Sequence, residues 1–93
     1  MIGKNNTRYI ITLFRVGVPF TLRHNGKLTY FIGNYDLAAY KQLGAASNKA
    51  RKLCAQYQNN MTCVFKVQVG EEFSTDDLKK WREDENRLVF SLK

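Results

Sequence analysis

The sequence predicts an α+β fold in which an antiparallel sheet and two helices follow the order β-β-β-α-β-α, and a short C-terminal strand is possible over residues 87–92. Three strand-like segments follow one another closely, a long alanine-rich segment has the period of a helix, and a later segment alternates apolar and polar residues. The chain has 93 residues, of which 44% are hydrophobic and 25% are charged, as in ordinary globular domains. We therefore expect one domain over residues 1–93, with a basic body over 1–70 and an acidic loop and helix over 71–93.

The first three strands form an antiparallel meander because the links between them are short. Val16 and Gly17 make a two-residue link between the first strand and the second. Pro19 suits an edge strand or the start of a strand, because proline cannot donate a ladder hydrogen bond. Their content of β-branched and aromatic residues predicts these strands over residues 8–15, 18–23 and 27–32.

The turn between the second and third strands has two alternatives. A two-residue loop, Asn25-Gly26, leaves both faces of the hairpin with mixed residues. A three-residue loop that begins at His24 pairs Arg23 with Lys27 and separates apolar from polar side chains. Because a slip of one residue moves every side chain to the other face, burial favours the three-residue loop. Gly26 is then expected in the left-handed conformation.

This register gives the meander one apolar face and one mixed outer face. The apolar face comprises Tyr9, Ile11, Leu13, Val18, Phe20, Leu22, Leu28, Tyr30 and Ile32. The outer face comprises Arg8, Ile10, Thr12, Phe14, Thr21, Arg23, Lys27, Thr29 and Phe31. Two interpretations of the outer face are open. Its basic, threonine and aromatic side chains could contact a nucleic acid, or the second helix could cover its apolar residues as a second small core.

One long helix is predicted after the third strand, over residues 37–58. Asp36 or Asn34 is expected to cap its first turn. Apolar residues recur at three- and four-residue steps and form a stripe that faces the sheet: Ala39, Leu43, Ala46, Ala50, Leu53 and Tyr57. The opposite side is a basic outer face with Lys41, Asn48 and Lys52 at its centre and Lys49 and Arg51 beside it.

The remaining segment supplies a fourth strand over residues 61–69 and a second helix. Ser74 or Thr75 is expected to cap the second helix, and Leu78 and Trp81 give it a short apolar patch. The alternation in the fourth strand predicts one buried face, formed by Cys63, Phe65, Val67 and Val69.

Charge is distributed unevenly along the chain. Residues 1–70 contain ten Lys and Arg and one acid, Asp36, which gives +9, whereas residues 71–93 contain five Lys and Arg and seven acids, which gives −2 and a total of +7. A body with almost no carboxylates favours a polyanionic partner. The alternatives are that the basic surface only aids solubility, or that the acidic helix lies against the body and masks it.

Part of the chain has a pattern that occurs in DNA-binding domains. A strand ends in an aromatic residue and a glycine, and an aromatic-Asp pair precedes an alanine-rich segment, with matching positions at Tyr30, Gly33, Tyr35, Asp36, Ala38 and Ala39. Over about residues 8–53 the chain resembles the three-stranded DNA-binding domains of plant ethylene-response factors and the arm-binding domains of phage-type integrases. The resemblance implies that the outward sheet face contacts the DNA major groove through Arg8, Arg23, Lys27 and Thr29. Residues 61–93 lie outside the resemblance, and the implication fails if they cover that face.

The sequence shows no pattern of catalytic, cofactor-binding or metal-binding residues. No phosphate-binding glycine loop is present, and His24 with two distant cysteines gives no zinc signature. Cys54 and Cys63 lie among apolar neighbours and are expected to be two buried free thiols, with a redox or disulfide pair as the alternative; burial lowers the reactivity of a thiol. No segment approaches the ~18 apolar residues of a membrane span, and the N-terminal residues lack the apolar core of a signal peptide. We expect a cytoplasmic protein that is not an enzyme and has no cofactor, metal or membrane partner.

The leading hypothesis is a small nucleic-acid-binding protein, with DNA favoured over RNA, that uses its basic sheet face and basic helix face. The candidate contact residues are Arg8, Phe14, Arg23, Lys27, Thr29, Phe31, Lys41, Lys49 and Lys52. The alternative is a small inhibitor, of the kind encoded by phages or mobile elements, that binds and blocks a host protein or nucleoprotein complex. The oligomeric state is open.

Overall fold

The structure, a computed structural model that describes residues 6–30, 36–58 and 60–92, contains one five-stranded antiparallel sheet in the order β3-β2-β1-β4-β5. The elements in chain order are β1 Thr7–Arg15, β2 Val18–Leu22, β3 Leu28–Thr29, α1 Leu43–Gln56, β4 Met61–Gln68, α2 Thr75–Trp81 and β5 Leu88–Leu92. The α+β class and the element order are as the sequence predicts, including the short C-terminal strand. Within the described ranges, neither helix has the length and apolar character that a membrane span requires.

The hairpin registers agree with the sequence analysis. In β1 and β2, Arg15 pairs with Val18, so Val16 and Gly17 form a two-residue turn. In β2 and β3, Leu22 pairs with Leu28, which leaves a three-residue loop after Arg23. The backbone N–H of Arg23 donates to the carbonyl of Lys27 at 2.7 Å. Gly26 has φ 88°, the left-handed conformation expected of it.

Both faces of the sheet are buried, and this decides between the two interpretations of the outer face. Ile10 and Phe14 are 1% and 3% exposed and lie in a core beneath α2, together with Phe65, Leu78 and Trp81. The other core lies beneath α1 and is formed by Ile11, Leu22, Ala38, Ala46, Ala50, Leu53 and Val64. The centre of the outer face is therefore not an open surface for ligands.

The fourth strand departs from its prediction for the same reason. Thr62 and Val64 are both buried, because α1 covers the face that the sequence pattern assigned to solvent. Val69 follows the strand and is 56% exposed, so it is not part of the buried face. When a strand is covered on both faces, its side chains are buried on both faces, so the alternation of apolar and polar residues no longer marks which face is exposed.

The first helix begins later than the sequence predicts. It starts at Leu43 with Gln42 at its N-cap position, so Asp36 does not cap it. The preceding residues bond instead to the sheet: the N–H of Ala38 donates to the carbonyl of Leu22 at 3.0 Å, and Tyr40 exchanges two hydrogen bonds of 2.9 Å with Tyr9. These backbone bonds override the high helix propensity of alanine.

The second helix begins as expected and is tied to the sheet by an ion pair. Ser74 accepts from the N–H of Asp77, and the Asp77 carboxylate accepts in return from the N–H of Ser74, which makes a capping box. After the helix, Arg87 donates to both carboxylate oxygens of Glu71 and, at 3.1 Å, to the carbonyl of Lys66. Its guanidinium lies 4.4 Å from the ring centroid of Trp81. Arg87 thus joins the loop before α2, the helix itself and β4.

If α2 covers the second core, Leu78→Ala will lower the free energy of unfolding by about 2–5 kcal/mol, because Leu78 is 0% exposed and its loss leaves a cavity. The matched control is Leu43→Ala, the same change at a side chain that is 37% exposed, with an expected effect within about 0.5 kcal/mol. Urea denaturation measures both. Equal effects of the two substitutions would contradict the packing of α2 on the sheet.

The Glu71–Arg87 pair predicts a specific dependence of stability on pH. Hydrogen bonds from Arg87 hold the pKa of Glu71 below its ordinary value of 4.5. The stabilisation is therefore fully present above that value and is lost as the pH falls through the lower pKa of the folded state. Glu71→Gln should cost about 1–2 kcal/mol at pH 7, because the pair is partly solvated.

The test is urea denaturation of the wild type, Glu71→Gln and the neighbouring exposed-site control Glu72→Gln, at pH 7 and at several values below 4.5. We expect the wild type and Glu71→Gln to converge in acid while the control follows the wild type throughout. A difference that stays constant with pH would show that the carboxylate charge of Glu71 does not stabilise the fold.

Candidate functional site

A groove of about 400 Å³ lies between the β2–β3 hairpin and α1. It is called the basic groove below. Three chain segments line it: the hairpin, the linker before α1 (residues 36–42), and α1 itself. The lining residues are Leu22, Arg23, His24, Gly26, Ala38, Ala39, Tyr40 and Lys49. Its volume is within the range of sites that hold small ligands or parts of larger ones.

The basic groove exists because β1 and β2 separate. Their pairing ends at Thr12 and Thr21, whose hydroxyl groups lie 3.0 Å apart in the interior. Beyond this point the linker pairs with β2, since the N–H of His24 donates to the carbonyl of Asp36 at 2.7 Å and a bridge joins Arg23 to Leu37. The paired hairpin and linker form one side of the groove, and α1 forms the other.

One lysine lines the basic groove, and three more are close to lining residues along the chain or around α1. Lys49 lines it, and Lys27 and Lys41 directly follow the lining residues Gly26 and Tyr40. At about 100° per residue, Lys52 is about 60° around α1 from Lys49, on the outward side of the same flank. Lys27, Lys41 and Lys52 are exposed and Lys49 is half-buried.

The other basic residue of α1 that the sequence analysis named points elsewhere. The guanidinium of Arg51 lies 5.1 Å from the ring centroid of Phe90 in β5, on the opposite flank of the helix. Arg51 therefore stabilises the packing of α1 on β5. The basic outer face predicted from the sequence is thus divided, and only the half with Lys49 and Lys52 adjoins the groove.

The ion pairs of the acidic segment do not involve the basic groove. Between described side chains, the two ion pairs are Lys79–Asp76 at 3.9 Å and Arg87–Glu71, and both lie within residues 71–87. Glu71 and Asp76 therefore pair within their own segment. Asp36 is the only acid in residues 1–70, and it is exposed next to the hairpin.

Several residues predicted to contact a ligand lie away from the basic groove. Phe14 is buried under α2, where the guanidinium of Arg82 lies 4.7 Å from its ring centroid. Arg8 is half-buried in β1 opposite Val67, and Thr29 is half-buried opposite Thr21, so neither lines the groove. Phe31 lies outside the described residues. Of the predicted contact residues, Arg23 and Lys49 line the groove, whereas Lys27, Lys41 and Lys52 are not among its lining residues.

The groove also contains two aromatic side chains that the sequence analysis did not single out as contact residues. His24 is exposed in the hairpin loop, and Tyr40 is half-buried against the core beneath α1. Burial raises the pKa of Tyr40 above its ordinary value, so its hydroxyl stays neutral. No local sequence pattern identifies these residues, because their proximity depends on the pairing of the linker with β2.

A second cavity of about 570 Å³ lies at the other end of β1, and Phe14, Cys54, Met61 and Arg82 are among the residues that line it.

Cys54 is a half-buried free thiol, which corrects the expectation of full burial, whereas Cys63 is a fully buried free thiol as expected. Burial raises the pKa of Cys63 to about 11, so it is a neutral thiol at pH 7. In the described ranges, no group of three or more His, Cys, Asp or Glu side chains is placed to hold a metal ion.

Comparison of the chain with known protein families, with curated proteins and with solved structures found no match. The pattern at Tyr35 and Asp36 predicts that Asp36 opens the helix, whereas Asp36 precedes α1 by several residues and α1 begins at Leu43.

Proposed function

We propose that this protein is a small non-enzymatic nucleic-acid-binding protein that grips the phosphate backbone at the basic groove. The observation that carries the proposal is a groove lined by Arg23 and Lys49, with Lys27 and Lys41 next in the chain to lining residues and Lys52 on the same flank of α1 as Lys49. Concave surfaces lined by one sign of charge concentrate counter-ions of the opposite sign. In residues 1–70 only Asp36 opposes this field.

The proposed binding mode differs from that of an open sheet face. Because α2 covers Ile10 and Phe14, the contacts come from the edge of the domain where the hairpin, linker and α1 meet. Lysines on flexible stems suit the phosphate backbone, which carries no sequence information directly. Affinity is expected to depend on salt more than on base sequence, because binding releases the counter-ions condensed on the nucleic acid.

Replacing Lys49 and Lys52 together with Gln should weaken binding to duplex DNA and reduce the log–log salt slope by about 2, since each phosphate contact contributes about 0.9. The matched control is Lys79→Gln with Lys80→Gln on α2, which removes the same charge from exposed positions far along the chain. Fluorescence anisotropy at two or more salt concentrations measures both. The control should retain the slope of the wild type.

Two results would contradict the proposal. One is the absence of binding to duplex and single-stranded nucleic acid even at about 50 mM salt, where electrostatic binding is strong. The other is an equal loss of affinity in the two double variants, which would show that net charge alone, rather than the basic groove, attracts the nucleic acid.

A second candidate function, inhibition of a host protein by direct binding, is favoured by one observation at the opposite end of the sheet. Val16 has φ 51° and is 95% exposed in the β1–β2 turn. A β-branched residue in this conformation is strained, and its exposure means that no packing within the domain offsets the strain. An exposed valine held at a rigid turn is a suitable contact for an apolar site on a partner protein.

This candidate is tested by Val16→Asn, because asparagine tolerates the left-handed conformation. The variant should be at least as stable as the wild type in urea denaturation and should lose capture of a stoichiometric partner from nuclease-treated host lysate. Capture of the same partner by the variant and the wild type would contradict a role for this turn.

A further inference from the structure

The walls of the basic groove contain aromatic rings as well as positive charge, which a site for phosphates alone does not need. Tyr40 lies in the linker and His24 in the hairpin loop, and both line the groove. The linker and the hairpin are bonded to each other through His24 N–H and Asp36 carbonyl at 2.7 Å, so the backbones that carry the rings are held in fixed register.

The ring of Tyr40 lies on the α1 side of the sheet. Leu22 and Ala38 both pack in the core beneath α1, and Tyr40, two residues from Ala38, packs against the same core. His24 lies in the hairpin loop two residues after Leu22 and lines the same groove. Tyr40 packs against that core, which fixes its ring, whereas His24 is exposed and can adjust.

The size of the groove fits one unstacked nucleotide better than a duplex. A concavity of about 400 Å³ has the capacity for a small ligand such as one unstacked nucleotide. In a duplex the bases are stacked and only their edges are accessible, whereas single strands present base faces that stack on aromatic side chains. Lys49 lines the same groove and is placed for a flanking phosphate.

We propose that the basic groove binds an unstacked nucleotide of single-stranded nucleic acid, with the base against Tyr40 and His24 and the neighbouring phosphates on the surrounding lysines. This inference rests on the proposed function and specifies its substrate class. The protein is then a single-strand binder whose affinity has two parts: a salt-dependent part from the lysines and a stacking part from the rings.

The test compares anisotropy titrations of single-stranded DNA, single-stranded RNA and duplex DNA of one sequence against the wild type, His24→Ala, Tyr40→Leu and Tyr40→Phe. We expect both single strands to bind more tightly than the duplex, and the better of the two identifies the strand type. His24→Ala and Tyr40→Leu should weaken single-strand binding by about 5- to 100-fold with little effect on the duplex. Tyr40→Phe keeps the ring and should bind as the wild type does.

The controls separate failure of this inference from failure of the proposed function. Tyr40 packs against the core, so circular dichroism and urea denaturation must show that Tyr40→Leu is folded, and the exposed residue His24 provides a second variant that the core does not constrain. Equal affinity for single strands and duplex, unchanged in His24→Ala and Tyr40→Leu but reduced by the Lys49 and Lys52 double substitution, would overturn the inference and leave the proposed function intact. No binding of any strand would overturn both.

Discussion

The site depends on the separation of β1 from β2 beyond the Thr12–Thr21 pair. Strands that diverge leave backbone N–H and C=O groups that must find other partners. The linker supplies them: Ala38 donates to Leu22, and Tyr40 exchanges two hydrogen bonds with Tyr9. Because the linker lies between β1 and β2, α1 begins only at Leu43. The linker and the hairpin form one side of the groove, and Lys49 of α1 lines the other.

A second constraint is that a small sheet with apolar residues on both faces needs a helix on each side. On one face, Leu78 and Trp81 of α2 bury Ile10, Phe14 and Phe65. The Glu71–Arg87 pair and the packing of Arg87 on Trp81 fix this layer. Because α2 covers the centre of the flat face, that face is not open to a ligand, whereas the hairpin and α1 carry the exposed residues Lys27 and Lys52.

Sequence patterns predicted the features that depend on local alternation or local capping. The three-residue hairpin loop follows from the burial of Leu22 opposite Leu28, and the start of α2 follows from the Ser74 capping box. The predicted start of α1 was wrong because hydrogen bonds to β1 and β2 override the helix propensity of residues 37–42. The choice between an open and a covered outer face could not be made from the alternation of Ile10 and Phe14, since both outcomes need apolar residues there. The presence of His24 and Tyr40 in one groove was not predicted, because it depends on the pairing of the linker with β2, two segments that are distant in sequence.

The most direct test of the account is a map of binding by amide chemical shifts in a ¹H–¹⁵N titration with a short single-stranded oligonucleotide at low salt. If the nucleic acid binds at the basic groove, the largest changes will occur in residues 22–27, 38–41 and 49–52. Amides near the second cavity, such as Gly17 and Met61, should change little. Changes centred on that cavity or on the Val16 turn, with the groove unaffected, would contradict the assignment of the nucleic-acid site.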